Sequence, residues 1–201
     1  MVKIVAVAAC VLVFAAFFFG NTAWAYSDEE RPPVVSRKEW GAKAPTRAYQ
    51  THLPTRITIH HQGVFSTRQA DTKRRLKNMQ AFHQGKSREF ADIAYHFIID
   101  RRGTIYEGRP VTTAGETRTD YDPSGHLLIC LLGDFEKQTP TSEQQTALVT
   151  LVRWAMTTFK ISQERIGGHR DYAHTTCPGK HLYALIKSER FIQQLLIAKP
   201  R

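Results

Sequence analysis

Cysteine is scarce, with three in 201 residues, and that scarcity excludes a scaffold stapled by disulfides in place of a core. Internal repeats and low-complexity segments are absent, which excludes repeat arrays and fibrous or disordered chains. Beyond the first 25 residues no apolar run is long enough to cross a bilayer, so a many-spanning membrane protein is excluded too. Acidic charge is in short supply: 18 Asp and Glu stand against 28 Lys and Arg, a formal net charge of +10. Such a chain favours anionic partners. What is present, 42% hydrophobic and 23% charged residues, fits one globular domain with a real core.

The N-terminus reads as an address. Met1-Val2-Lys3, the uncharged run Ile4 to Gly20 and Ala23-Trp24-Ala25 have the charged start, apolar middle and small-x-small end of a secretory signal peptide. The expected division is a signal over residues 1–25, cut after Ala25, a flexible polar lead-in over 26–33 and one domain over 34–201. The competing reading is an uncleaved N-terminal membrane anchor. Both put the domain outside the cytoplasm, periplasmic or secreted. Nucleic acid then drops out as a partner. Cell-wall polymers or lipid headgroups become the natural anionic surfaces for a chain that loses only the charge of Lys3 with its signal.

Periodicity gives the elements. Ser36 to Ala42 fits one helical turn with a Ser cap and Glu39 at the third position. Arg56-Ile57-Thr58-Ile59-His60-His61 alternates as a strand, so Thr58 and His60 point away from Ile57 and Ile59. Gln69 to Gly85 is expected to be an amphipathic helix with Leu76, Met79, Ala81, Phe82 and His83 on its buried side. His83 is read there as a hydrogen-bonded structural histidine. Asp92 to Asp100 is a strand, turned through Arg101 to Thr104 into a return strand from Ile105 to Arg109. Residues 111–125 show no period and form a long loop; His126 to Gly133 is a buried strand. Pro140 to about Lys160 is a helix, as is Lys180 to about Ile197, with Leu182, Leu185, Ile186, Ile192 and Leu196 as its apolar side. The sum is a single α/β (α+β) domain, a central mixed β-sheet flanked by about three helices.

Cys10 departs with the signal, leaving Cys130 in the apolar run Leu127 to Leu132 and Cys177 among polar residues and histidines. These environments favour a buried thiol and a metal-bound thiolate over a bridge between the two. Gly168 to Lys180 concentrates metal-ligand atoms in a turn-rich stretch: His169, His174 and Cys177, closed by Pro178-Gly179. Together with strand-end His60, His169 and Cys177 make three protein ligands for zinc and leave a fourth position for water, the pattern of catalytic zinc. A structural zinc with His61, His174 or His181 as fourth ligand is the alternative at this stage.

Several ordered blocks now carry a resemblance. They are Ile57-Thr58-Ile59-His60-His61, Asp92-Ile93-Ala94-Tyr95-His96-Phe97-Ile98-Ile99, Gly103-Thr104-Ile105-Tyr106-Glu107-Gly108-Arg109, Leu131-Leu132-Gly133-Asp134-Phe135, Gly168-His169-Arg170-Asp171 and Thr176-Cys177-Pro178-Gly179. With Val35 to Ala42 as an entry segment, this order resembles the N-acetylmuramoyl-L-alanine amidases of the peptidoglycan recognition protein and phage-amidase superfamily, from about Val34 to Tyr183. The resemblance implies a mixed sheet flanked by helices, with zinc at one end of a groove for peptidoglycan or muropeptides. It implies His60, His169 and Cys177 as metal ligands and Tyr95 as the site tyrosine. The position two before the cysteine, Lys in some phage members and Ser or Thr in many recognition proteins, is Thr175. Two departures fall on the groove wall: Gly115-Glu116-Thr117 stands where a Gly-Ala-His sequence is common, and His126-Leu127-Leu128-Ile129 where Ser-Ile-Gly-Ile is common.

The implied chemistry is hydrolysis of the amide between N-acetylmuramic acid and L-alanine. A neutral amide needs an activated water, a polarised carbonyl and a protonated leaving amine, and zinc meets the first two demands. Tyr95 is expected to donate to the oxyanion or orient the water, with Thr175 as a second donor. The bland readings are an aromatic packed on the sheet for Tyr95 and a turn hydroxyl for Thr175. Arg170 and Asp171 are expected to order the ligand loop. The rival function is a non-catalytic peptidoglycan-binding module; a zinc-stabilised structural domain leaves Tyr95 unexplained. A monomer is expected, and an inhibitory partner over the groove is left open.

Overall fold

The computed structural model describes residues 30–197, so the expected signal over 1–25 lies outside the described residues. Six strands form one mixed sheet: β1 (Val34–Val35), β2 (Arg56–His61), β3 (Phe97–Ile99), β4 (Ile105–Glu107), β5 (His126–Leu131) and β6 (Ile166–Gly168). Their order is β1-β4-β3-β5-β2-β6. The β3–β4 hairpin is antiparallel and the other four pairings are parallel. The helices are α1 (Arg37–Trp40), α2 (Thr72–Gln84), α3 (Ser142–Phe159), α4 (Lys180–Ile186) and α5 (Glu189–Leu196).

The alternation along β2 sorts the sheet into two faces. Ile57 and Ile59, with Leu127, Ile129 and Leu131 of β5 and Phe97 and Ile99 of β3, pack against Leu148, Leu151, Val152 and Ala155 of α3 and Phe191 of α5. Each of these side chains except that of Ala155 contributes about 1.5–3 kcal/mol by leaving water. Ile98, Tyr106 and Cys130 point the other way, onto Trp40 of α1 and Leu76 and Met79 of α2. This second layer covers only part of its face. Thr58, His60 and His126 are left on the remainder, buried but polar, and there the groove forms.

Five helices stand where about three were expected. One of the extra two is the single turn α1, expected at Ser36 to Ala42 though not counted among the three, and its Ser36 and Glu39 form the capping box. The other arises because the last helix breaks: the Ser188 hydroxyl accepts the Phe191 N–H and starts α5 afresh. The restart shifts the helical phase, so Phe191 and Leu195 are buried while Leu196 is 46% exposed. In α2 the buried stripe is Thr72, Leu76, Met79, Gln80 and His83, and Ala81 and Phe82 face outward, against expectation. Gln80 takes the inner position because its amide bonds the Lys43 backbone and Asp92. The strand expected from Asp92 shortens to Phe97–Ile99. The buried Asp92 carboxylate takes the Ile93 N–H and pairs with Arg37 at 2.7 Å, pulling this end off the ladder.

Candidate metal centre and groove

β2 is held on both sides, by β5 and by β6, which fixes where His60 sits. β6 ends at Gly168, and His169 opens a short turn through Asp171. The Asp171 carboxylate locks that turn by accepting the Gly168 N–H at 2.9 Å and the Tyr183 hydroxyl at 2.6 Å, and by pairing with Lys187 at 2.8 Å. Gly168 is required there, because a Cβ would lie 2.9 Å from Pro178 Cδ. Arg170 brings the chain back to its start. Its backbone N–H donates to the Cys177 carbonyl at 3.0 Å, and its guanidinium donates to the Thr176 carbonyl and to Glu136.

These constraints gather three donors. His60 Nδ1 lies 3.7 Å from Cys177 Sγ, and the His60 and His169 ring centroids are 4.6 Å apart. One nitrogen from each histidine and the sulfur all lie within 4.8 Å of one another, the one such group among the described residues. His61 turns elsewhere, accepting the Phe135 N–H at Nδ1, and His174 is exposed. Cys130 and Cys177 are free thiols.

Burial sets the protonation of the three donors. Burial holds His60 well below the ordinary histidine range and His169 down to about 4, so both offer neutral lone pairs. Burial pushes the Cys177 thiol up to about 12, so it gives up its proton on taking a metal. One sulfur and two imidazoles fit zinc by softness and number.

Tyr95 stands beside His60, ring centroids 5.2 Å apart. Its carbonyl accepts the Arg109 N–H at 2.9 Å, and a Cβ on Gly108 would lie 2.0 Å from that oxygen, so glycine at 108 lets Tyr95 approach. Thr175 Oγ1 accepts the Cys177 N–H at 3.2 Å. His83 is buried and its Nδ1 accepts the Ala94 N–H, the structural bond expected of it.

A groove of about 190 Å³ runs from this cluster, lined by His60, Tyr95, His169, Arg88, Thr117 and Thr119. A larger cleft of about 750 Å³ lies away from it, between β1, the Gly103 turn and the start of α3; the donor triad is no part of it. The groove wall is the 111–125 loop, and its anchor was not legible in the sequence. Arg109, 1% exposed, donates to the carbonyls of Ile93, Ala114 and Asp92 and to Glu116 at 2.7 Å. Both departures from the family pattern meet here. Glu116 is that arginine's partner, and a Cβ on Gly115 would lie 2.3 Å from Leu128 Cδ1. Two further residues of the loop reach the cluster: Thr119 Oγ1 lies 2.8 Å from His169 Nε2, and the Tyr121 ring leans against His169 at a tilt, centroids 5.3 Å apart.

The comparisons bear on the family and the fold. Residues 50–180 match the family model described as N-acetylmuramoyl-L-alanine amidase. Peptidoglycan-recognition protein SD of Drosophila simulans is 34% identical over 172 residues, 84% of this chain and 90% of the relative. The crystal structure of peptidoglycan recognition protein-LE in complex with tracheal cytotoxin superposes with a TM-score of 0.70 at 31% identity, over 77% of this chain and 92% of that one. An endolysin N-acetylmuramoyl-L-alanine amidase from Clostridium intestinale gives 0.65 at 26% identity, over 79% and 95%. With residues 50–180 matching the family model and a third of its residues shared along most of a recognition protein, this chain belongs to the N-acetylmuramoyl-L-alanine amidase family, within the superfamily that includes the peptidoglycan recognition proteins.

Proposed function

We propose that this protein is an exported, zinc-dependent hydrolase that cuts the amide between N-acetylmuramic acid and L-alanine in peptidoglycan. The observation that carries the reading is the gathering of His60, His169 and Cys177 beside Tyr95 at one end of a groove. The N-terminal pattern of residues 1–25 supports export.

His60, His169 and Cys177 would hold the metal. Bound there, zinc supplies Lewis acidity toward the scissile carbonyl and makes water a nucleophile near neutral pH. The chain's own groups do the rest. Burial raises Tyr95 well above the ordinary phenol range, so at neutral pH it keeps its proton and donates to the oxygen on which charge develops. Thr175 steadies Cys177 through its oxygen and retains its own hydrogen to donate. Tyr95→Phe is expected to lower kcat about 10²-fold with zinc content and muropeptide binding unchanged. Wild-type turnover in that variant would remove Tyr95 as the donor.

The test of the whole reading is to incubate the purified protein with defined muropeptides, with and without chelator, and look by mass spectrometry for peptides with a free L-Ala amine. Release that stops with chelator and returns with zinc is the expected result. A second reading, a binding module that does not cleave, draws support from the relative named as a recognition protein and the solved one in complex with tracheal cytotoxin. Muropeptide binding without release at any zinc level would establish it and sink the enzyme.

A further inference from the structure

We infer that Thr119 is a positioning residue for His169: its hydroxyl selects the imidazole tautomer that offers Nδ1 to the metal, and so ties the groove-wall loop to the metal centre. This rests on the zinc reading above. A histidine that ligates a metal through one nitrogen generally donates the other N–H to a carboxylate, a carbonyl or water, which fixes its tautomer and orientation. In this chain the partner is a hydroxyl, Thr119 Oγ1, 2.8 Å from Nε2. No other hydrogen bond reaches that ring among the described residues.

The direction of the bond is part of the inference, and the neighbouring hydroxyl supplies an acceptor for it. Thr117 Oγ1 accepts the Thr119 backbone N–H at 3.1 Å and lies 2.7 Å from Thr119 Oγ1. In the inferred arrangement the Thr119 hydroxyl hydrogen points to that same oxygen, which leaves its lone pairs to accept Nε2–H from His169. A neutral imidazole carries one N–H. With that hydrogen on Nε2, Nδ1 is a bare lone pair. His60 flanks the ring at 4.6 Å and Tyr121 at 5.3 Å.

The residue travels with its loop. Thr119 is three positions from Glu116, which pairs with buried Arg109 and takes the Ala91 N–H. The wall of the groove and the orientation of a metal ligand are thereby one mechanical unit.

The test measures zinc affinity by chelator competition for the wild type, Thr119→Val and Thr119→Ser. It also reads the ¹⁵N shifts of the His169 ring in zinc-free protein, with thermal melts as folding control. Thr119→Val, nearly the same shape without the hydroxyl, is expected to bind zinc about 10–100-fold more weakly and to lose the preference for Nε2–H. Thr119→Ser is expected to restore both. Wild-type affinity with an unchanged tautomer in Thr119→Val overturns the inference and leaves the zinc reading intact. Should the wild type bind no zinc, the zinc reading falls, and the ring shifts alone decide Thr119: an unchanged tautomer overturns its role, a lost Nε2–H preference upholds it.

Discussion

Cys177→Ser is expected to abolish release of L-Ala peptides, a fall of at least about 10³-fold, together with a loss of zinc. A serine hydroxyl does not deprotonate under zinc at neutral pH as a thiol does, and it is a harder, poorer ligand. The site loses a negative charge and its one soft donor. Several kcal/mol of transition-state stabilisation depends on a metal held in place, and about 4 kcal/mol is a thousandfold in rate. The substitution is small, and the lost contact from the His61 N–H at 3.4 Å is weak, so the zinc-free fold should melt near the wild type. Metal content, turnover and muropeptide binding measured together check this. Unchanged turnover would take Cys177 out of the mechanism.

The second large effect is on stability. Arg109→Leu is expected to cost about 3 kcal/mol, at the lower end of the roughly 3–5 kcal/mol for breaking a buried pair from one side. The substitution strands the carbonyls of Ile93, Ala114 and Asp92 and removes the buried partner of Glu116. Glu116 keeps Arg47 and the Ala91 N–H, which is why the loss stays at the lower end. For a domain of this size the melting temperature should fall by roughly 6–12 °C. Arg109→Lys should recover little, because an ammonium cannot reach four acceptors with a fixed fork. Zinc affinity should fall with stability in the leucine variant, since the loop it releases carries Thr119. A melt within about 2 °C of the wild type would show that the loop is held by other contacts.

Much of the centre was legible because it obeys short-range rules. Alternation through Ile57-Thr58-Ile59-His60 put His60 on the groove face from the sequence alone, and the structure keeps Ile57 and Ile59 in the α3 layer. His169 and Cys177 stood out by residue type. β6 did not, because two of its three residues are glycines and its strand form comes from pairing with β2. The break at Ser188 had a local sign, a serine ahead of Glu189, but an apolar pattern that ran straight through it hid the change of phase. Arg109 and Glu116 are seven residues apart across a loop without period. Only the fold brings that loop back over Asp92 and Ile93. Thr119 is less legible still: a hydroxyl has no sequence signature until its neighbour is known.

The backbone bond from Arg170 to the Cys177 carbonyl closes a small loop, and closed loops matter to thermodynamics before any ion arrives. A zinc finger folds around its metal, so ordering the chain consumes part of the binding energy. Here the conformational entropy of holding His169 near Cys177 has already been spent by the Asp171 and Arg170 contacts during folding. For the zinc proposed above, the centre would therefore act as a preformed macrocyclic chelator. Zinc is then expected to leave and return while the sheet stays folded, with an affinity set by donor chemistry rather than by a coupled refolding.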